Sequence, residues 1–130
     1  LISERGIMQN RQLRVLIVSR FGAHQKAIQA ICASLPQFTI IETASSSRQA
    51  LEMVRNSLPD LFITGANLDE NQVCELISQV KKMPKPPFCI ALTLSEFSNC
   101  FDQQLGPDQV ISTRSFGSKL PEILNEVYVY

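Results

Sequence analysis

Short apolar runs alternate with stripes of apolar residues at helical spacing along most of the chain. The runs cover residues 14–18, 38–43, 60–64, 88–93 and 110–111. Apolar runs of about 4–8 residues that lie between turn residues are typical of strands buried on both faces of a parallel sheet. We therefore predict five parallel strands.

Between these runs, apolar residues recur every three or four positions, the period of a helix with one buried face. The five predicted helices carry the stripes Ile28-Ile31-Cys32-Leu35, Ala50-Leu51-Val54-Leu58, Val73-Leu76-Ile77-Val80, Phe97-Phe101-Leu105 and Leu120-Ile123-Leu124-Val127. Asp69, with Gln72 three residues on, resembles a capping box, and Pro121 fits only the first turn of the last helix. Strands that alternate with helices predict one α/β domain with right-handed crossovers and helices on both faces.

Apolar content, charge balance and the length of the apolar stretches argue against several classes of protein. The chain has 130 residues, of which 45% are apolar and 18% charged, and this balance argues against disorder. Lys plus Arg and Asp plus Glu both number 12, so there is no basic excess for nucleic-acid binding by this segment. No apolar stretch approaches the ~20 residues that a membrane span needs. We expect no membrane partner.

The cysteines do not form a metal-binding pattern. Cys32, Cys74, Cys89 and Cys100 include no Cys-x-x-Cys pair, and His24, the single histidine, is not at a ligand-like spacing from them. We predict no metal and no cofactor, and we interpret Cys32 and Cys89 as small core residues. Free thiols favour a cytoplasmic location over a disulfide framework.

The ends of the first and third strands carry little chemistry. Parallel strands present functional groups at their C-terminal ends, yet these positions hold Ser19-Arg20 and Gly65. A glycine there fits a turn with positive φ or a close approach of the backbone. We interpret His24 as an exposed residue in the first turn of a helix, and no acid orients it as a base for Ser19. No catalytic residue is predicted.

From about Leu13 to Val127, the order and spacing of the units resemble the receiver domain of two-component response regulators. The matching phrases are Arg14-Val15-Leu16-Ile17-Val18, Ala50-Leu51-Glu52-Met53-Val54, Pro59-Asp60-Leu61-Phe62-Ile63, Ala91-Leu92-Thr93 and Gly106-Pro107-Asp108. The resemblance implies a flavodoxin-like sheet with strand order 2-1-3-4-5 over residues 13–130, after a tail at 1–12. It also implies that an effector domain could follow residue 130.

The functional positions of the receiver family depart from its pattern here. They fall on Ser19, Arg20, Gly65, Thr93, Val110 and either Thr113 or Arg114. The first two replace the acidic pair that holds Mg²⁺, an ion that needs carboxylate oxygens. Gly65 replaces the phosphorylated aspartate and Val110 the aromatic switch residue, whereas Thr93 keeps the switch hydroxyl. The resemblance is therefore to a pseudo-receiver, which lacks the phosphoacceptor.

From this resemblance we expect a regulatory module that acts through protein–protein interaction without phosphorylation, within a transcriptional regulator that contacts DNA only through a separate domain. The surface of the fourth helix, fifth strand and fifth helix would form a homodimer. Its candidate residues are Phe97, Phe101, Val110, Leu124 and Tyr128. Two alternatives remain: a stand-alone adaptor, and a sensor that binds a small ligand or anion in the cleft above Ser19, Gly65 and Thr93, with Arg20 and Arg114 as the cations.

Overall fold

The computed structural model describes residues 12–94 and 106–128. The elements are β1 (Leu13–Val18), α1 (Ala23–Ala33), β2 (Phe38–Ala44), α2 (Ser47–Ser57), β3 (Leu61–Thr64), α3 (Glu70–Lys81), β4 (Phe88–Thr93), β5 (Gln109–Ser112) and α4 (Phe116–Val127). All five predicted strands are confirmed. α4 corresponds to the fifth helix predicted from the sequence. The fourth predicted helix, with Phe97 and Phe101, lies outside the described residues, so the numbering of the helices differs by one from this point.

The strands form one parallel sheet with the order β2-β1-β3-β4-β5, as predicted. Val18 at the end of β1 lies beside Ala44 of β2 and Thr64 of β3, and Thr64 lies beside Ala91 of β4. The C-terminal ends of the three central strands therefore meet at one edge, which we call the carboxyl edge. None of the helices in the described ranges combines the length and apolarity needed to cross a bilayer.

Alternate residues of the central strands face two separate apolar cores. Val15, Ile17 and Ile63 pack with α1 and α4, whereas Leu16 and Phe62 pack with α2 and α3. This two-sided burial explains why the strands are continuous apolar runs, since neither face is exposed to water. The interpretation of Cys32 and Cys89 as core residues is confirmed, and burial raises the pKa of each thiol to about 12.

Two local predictions about the helices were wrong. Asp69 is the N-cap residue of α3, but its side chain makes no capping hydrogen bond, so the capping box does not form. α4 begins at Phe116, which places Pro121 in the second turn. Phe116 is fully buried in the core with Leu120, and this packing offsets the backbone hydrogen bond that proline removes.

Two aspartates fasten the opposite, amino edge of the sheet. Asp108 accepts hydrogen bonds from Lys81 Nζ at 2.7 and 2.6 Å and from the Cys89 N–H at 2.8 Å, so it joins α3, β4 and the start of β5. The carboxylate of Asp60 accepts the Arg14 N–H at 2.9 Å, and its carbonyl oxygen accepts the Tyr128 hydroxyl at 2.7 Å. Asp60 and Asp108 both lie in segments that resemble the receiver family, and in this structure both stabilise the amino edge of the sheet.

Removing the Asp108 carboxylate should destabilise the domain. We predict that Asp108→Ala lowers the free energy of unfolding by about 1–3 kcal/mol, because it leaves the Cys89 N–H and Lys81 without their acceptor. Asp108→Asn should cost less, since an amide oxygen still accepts from Cys89. The control is Glu52→Ala, which removes an exposed pair with Arg48 and should change stability by about 0.5 kcal/mol or less. Urea denaturation measures all three, and equal effects of the two alanine variants would contradict the assignment.

Candidate functional site

The tip of β1 is joined to the tips of β2 and β3 by backbone hydrogen bonds that continue past the strand ends. The Ser19 N–H donates to the carbonyl of Ala44 at 3.1 Å, and the Gly65 N–H donates to that of Val18 at 2.8 Å. Ser19 is fully buried, and its hydroxyl donates to the Arg20 carbonyl at 3.2 Å. This hydroxyl is therefore engaged with its own backbone.

Gly65 is in close contact with the neighbouring loop. Its φ is outside the left-handed region, so backbone conformation does not require a glycine here. A Cβ built at this position would lie 2.6 Å from the Cβ of Ser19, and 3.1 and 3.2 Å from Cδ2 and Nε2 of His24. Real Cβ atoms do not approach other heavy atoms at 2.6 Å. The sequence left two interpretations of Gly65, a turn with positive φ and a close approach of the backbone. The structure shows the close approach.

The ring of His24 bridges the two loops of the carboxyl edge. Gly22, with a φ of 142° that favours glycine, turns the chain from β1 into α1. His24, in the first turn of α1, then accepts the Ala66 N–H on Nε2 at 3.0 Å. The interpretation of His24 as an exposed residue was wrong: it is half-buried, and its acceptor nitrogen requires a neutral ring.

Asn67 forms a second connection between the same loops. Its Oδ1 accepts the Arg20 N–H at 3.2 Å, and its Nδ2 donates to the Arg20 carbonyl at 3.5 Å. Together with the His24–Ala66 bond, these contacts fasten the β1–α1 loop to the β3–α3 loop, and we call this set the two-loop clamp. The buried amide of Gln25 supports it by donating to the Ser19 carbonyl at 3.2 Å.

The other predicted site residues lie around β4 and β5. Thr93 is buried at the end of β4, and its carbonyl accepts the Thr113 N–H at 2.9 Å. Arg20 and Arg114 are both exposed. A cavity of about 190 Å³ lies between the β3–α3 loop and the end of β4. Its lining includes Gly65, Glu70 and Thr93.

These residues do not fit the Mg²⁺ that the receiver fold implies. The Ser19 hydroxyl is turned to its own backbone, Arg20 is cationic, and Gly65 has no donor atom. Magnesium prefers carboxylate oxygens in octahedral geometry. No group of three or more His, Cys, Asp or Glu that could hold a metal occurs in the part of the chain that the structure describes.

Similarity searches place the fold among receiver domains. The chain superimposes on the signal receiver domain of the response regulator NarL from Mycobacterium tuberculosis with a TM-score of 0.76, at 12% identity over 91% of this chain and 97% of that one. It matches the response regulator domain of Thermotoga maritima CheB with a TM-score of 0.71, at 18% identity over 92% and 98%. The fold is that of a receiver domain.

A third structural relative carries the metal that this chain does not fit. It is the receiver domain of sensor histidine kinase PA1611 from Pseudomonas aeruginosa, with a magnesium ion in its active-site cleft, and matches with a TM-score of 0.72 at 18% identity over 92% of this chain and 99% of that one. In sequence, a protein-glutamate methylesterase/protein-glutamine glutaminase from Desulfotalea psychrophila is 26% identical over 83 residues, 64% of this chain. The match spans only 23% of that enzyme's length, and no family model matches the chain.

The predicted dimer residues fall in different environments. Val110 on the edge strand β5 is 41% exposed. Leu124 is instead a core residue at 3% exposure, because the apolar stripe of α4 faces the sheet. Tyr128 is half-buried and bonded to Asp60. Phe97 and Phe101 lie outside the described residues.

Filling the space at position 65 should disturb the carboxyl edge. We predict that Gly65→Ala lowers the free energy of unfolding by about 1–3 kcal/mol, as overpacking does, because Ser19 Cβ is fixed to the backbone and cannot swing away. Ser19→Gly in the same chain should recover part of the loss. The control is Gly117→Ala in α4, where the nearest atom to the new Cβ is 3.9 Å away and alanine favours the helix. Denaturant unfolding of the single and double variants measures the coupling, and additive effects would contradict the contact.

Proposed function

We propose that this domain is a receiver-type signalling module that works without aspartyl phosphorylation and acts through protein–protein contacts. The observation that supports this most directly is Gly65: the position where the resemblance places the phosphoacceptor has neither a nucleophile nor space for a Cβ. We further propose that the domain performs no chemistry of its own.

The chemistry of phosphoryl transfer supports the same proposal. Transfer to an aspartate depends on positioning and on cations that neutralise the charge of the moving group, chiefly a bound metal. In this domain the strand tips present a buried serine, an arginine and a glycine. The imidazole of His24 and the amide of Asn67 join the loops that would otherwise border an open cleft.

We also propose that the module regulates an effector, with transcription as the expected output. The receiver domains that it resembles belong to proteins with different outputs, among them a LuxR-family response regulator, so the fold alone leaves the output open. The length of the native gene product separates a regulator from a stand-alone adaptor. About 60 or more residues after Tyr130 would leave room for a DNA-binding domain.

Restoring the nucleophile alone should not restore phosphorylation. We predict no phosphoryl adduct by mass spectrometry after incubation of the wild type or Gly65→Asp with acetyl phosphate and Mg²⁺. The combination of Gly65→Asp with Ser19→Asp and Arg20→Asp should label weakly at best, because the ring of His24 still lies next to position 65. Mg²⁺ should not shift the melting temperature of the wild type, since the described residues of the cleft include no clustered carboxylates whose repulsion a cation would relieve.

Two outcomes would count against the proposal. Efficient labelling of Gly65→Asp, or of the wild type on any residue, would mean that the cleft still supports phosphoryl transfer. A saturable increase in melting temperature with Mg²⁺ would mean that metal ligands have been missed. Stabilisation by phosphate or sulfate would instead favour the anion-sensor alternative, because a ligand specific for the folded state raises the midpoint.

We propose that self-association uses the β5 side of the sheet. The isolated domain should then be dimeric at micromolar concentration without any phosphodonor, and Val110→Asp should make it monomeric by placing a charge in an apolar contact. The matched control is Ile40→Asp, since Ile40 is 37% exposed on β2 at the other edge of the sheet. Sedimentation velocity measures both. A wild type that is monomeric throughout, or equal effects of the two variants, would exclude this surface.

A further inference from the structure

We propose that the two-loop clamp contains a proton-sensitive latch: protonation of His24 breaks its hydrogen bond to the β3–α3 loop, and deprotonation restores it. The inference rests on the proposed function in one respect: it takes the carboxyl edge to be the part of the domain that is regulated, and that regulation to occur without phosphorylation. It is carried by one contact, the hydrogen bond from the Ala66 N–H to Nε2 of His24 at 3.0 Å.

This hydrogen bond exists only with a neutral ring. An imidazolium carries hydrogen on both nitrogens and cannot accept a hydrogen bond. Protonation would set an N–H of the ring against the N–H of Ala66 at the same short distance. Gly65 and Ala66, the residues that the ring meets on the other loop, have no side-chain acceptor that could receive the new donor. The charged ring must therefore move away from the β3–α3 loop.

The sign of the pH dependence follows from this geometry. The released ring binds a proton and the latched ring cannot, so falling pH favours release and rising pH favours the latch. Histidine is the side chain whose ordinary titration lies between about pH 5 and 8. The chain has one histidine, so the response of this side chain can be assigned to a single residue.

The charges around the ring do not reverse this sign. Among the described residues, the elements next to the ring carry Arg20 on the β1–α1 loop, Lys26 on α1, and Asp69 and Glu70 where α3 begins; β4 contributes no charge. All four are exposed, so solvent screens both the cations, which disfavour an imidazolium, and the anions, which favour it. The direct and local effect of protonation is the loss of the hydrogen bond between the Ala66 N–H and the His24 ring.

The second part of the clamp keeps the change local. The amide of Asn67 does not titrate, and its contacts with the Arg20 backbone are independent of the ring. The Ala66 side chain packs against the first apolar core, a contact that does not depend on the protonation of the ring. Acidification to pH 5 should therefore break the contact between the His24 ring and the Ala66 amide while the domain remains folded.

Nuclear magnetic resonance of the complete chain tests this inference. In the wild type, the Ala66 amide shift should follow the titration of the His24 ring between pH 8 and 5. Its hydrogen-exchange protection, corrected for the intrinsic pH trend, should fall about tenfold, the equivalent of one lost hydrogen bond. The Leu13 amide, which is bonded to the Gln37 carbonyl near the amino edge, should not change and serves as the internal control.

Two variants separate the latch from a purely structural role of the side chain. His24→Gln offers an amide oxygen that can reach the place of Nε2, so Ala66 should remain protected from pH 8 to pH 5. His24→Ala should leave Ala66 unprotected at both values. Circular dichroism verifies that each variant is folded, and if His24→Ala does not fold, the wild type and His24→Gln still decide the question.

The inference is overturned if the Ala66 amide does not respond while the ring titrates, or if His24→Gln responds as the wild type does. Phosphorylation assays at fixed pH do not depend on this result. A failed latch with no labelling would therefore leave the proposed function standing, and labelling with an intact latch would remove the proposed function alone.

Discussion

The close contact of Gly65 with Ser19 and His24 is the constraint on which the carboxyl edge depends. Because position 65 has no Cβ, the backbone after β3 can lie against the Cβ of Ser19, and the histidine ring can reach the next amide. Any side chain at 65 would push the two loops apart. The missing Cβ at position 65 thus allows the close approach of the two loops and leaves this position without a functional side chain.

The two edges of the sheet are held by different kinds of interaction. At the amino edge, an ionised pair and carboxylate–amide bonds join α3, β4 and β5 through Asp108, and charge-assisted bonds of this kind are the stronger ones. At the carboxyl edge, the two loops are joined by a neutral imidazole and an amide side chain. The contacts that the two side chains make between the carboxyl-edge loops should therefore be broken at lower cost than those of Asp108.

The receiver fold does not by itself establish receiver chemistry. The sheet order, the register and the two-sided core depend on apolar residues that any member of this architecture can supply. The chemistry depends on a few side chains at the strand tips, where this chain has a serine, an arginine and a glycine. Backbone similarity therefore shows the fold alone, whereas the function depends on the residues at the strand tips.

The sequence by itself determined the five strands, since buried parallel strands appear as continuous apolar runs, and it determined the absence of an acidic side chain at position 65. It did not distinguish Leu124 in the core from Val110 at the surface, because an amphipathic stripe does not say what covers it. The tertiary structure alone decided the roles of His24 and Asn67. Their contacts join residues 42 and 47 positions apart, and no local pattern encodes a hydrogen bond that exists only after two distant strand tips become neighbours.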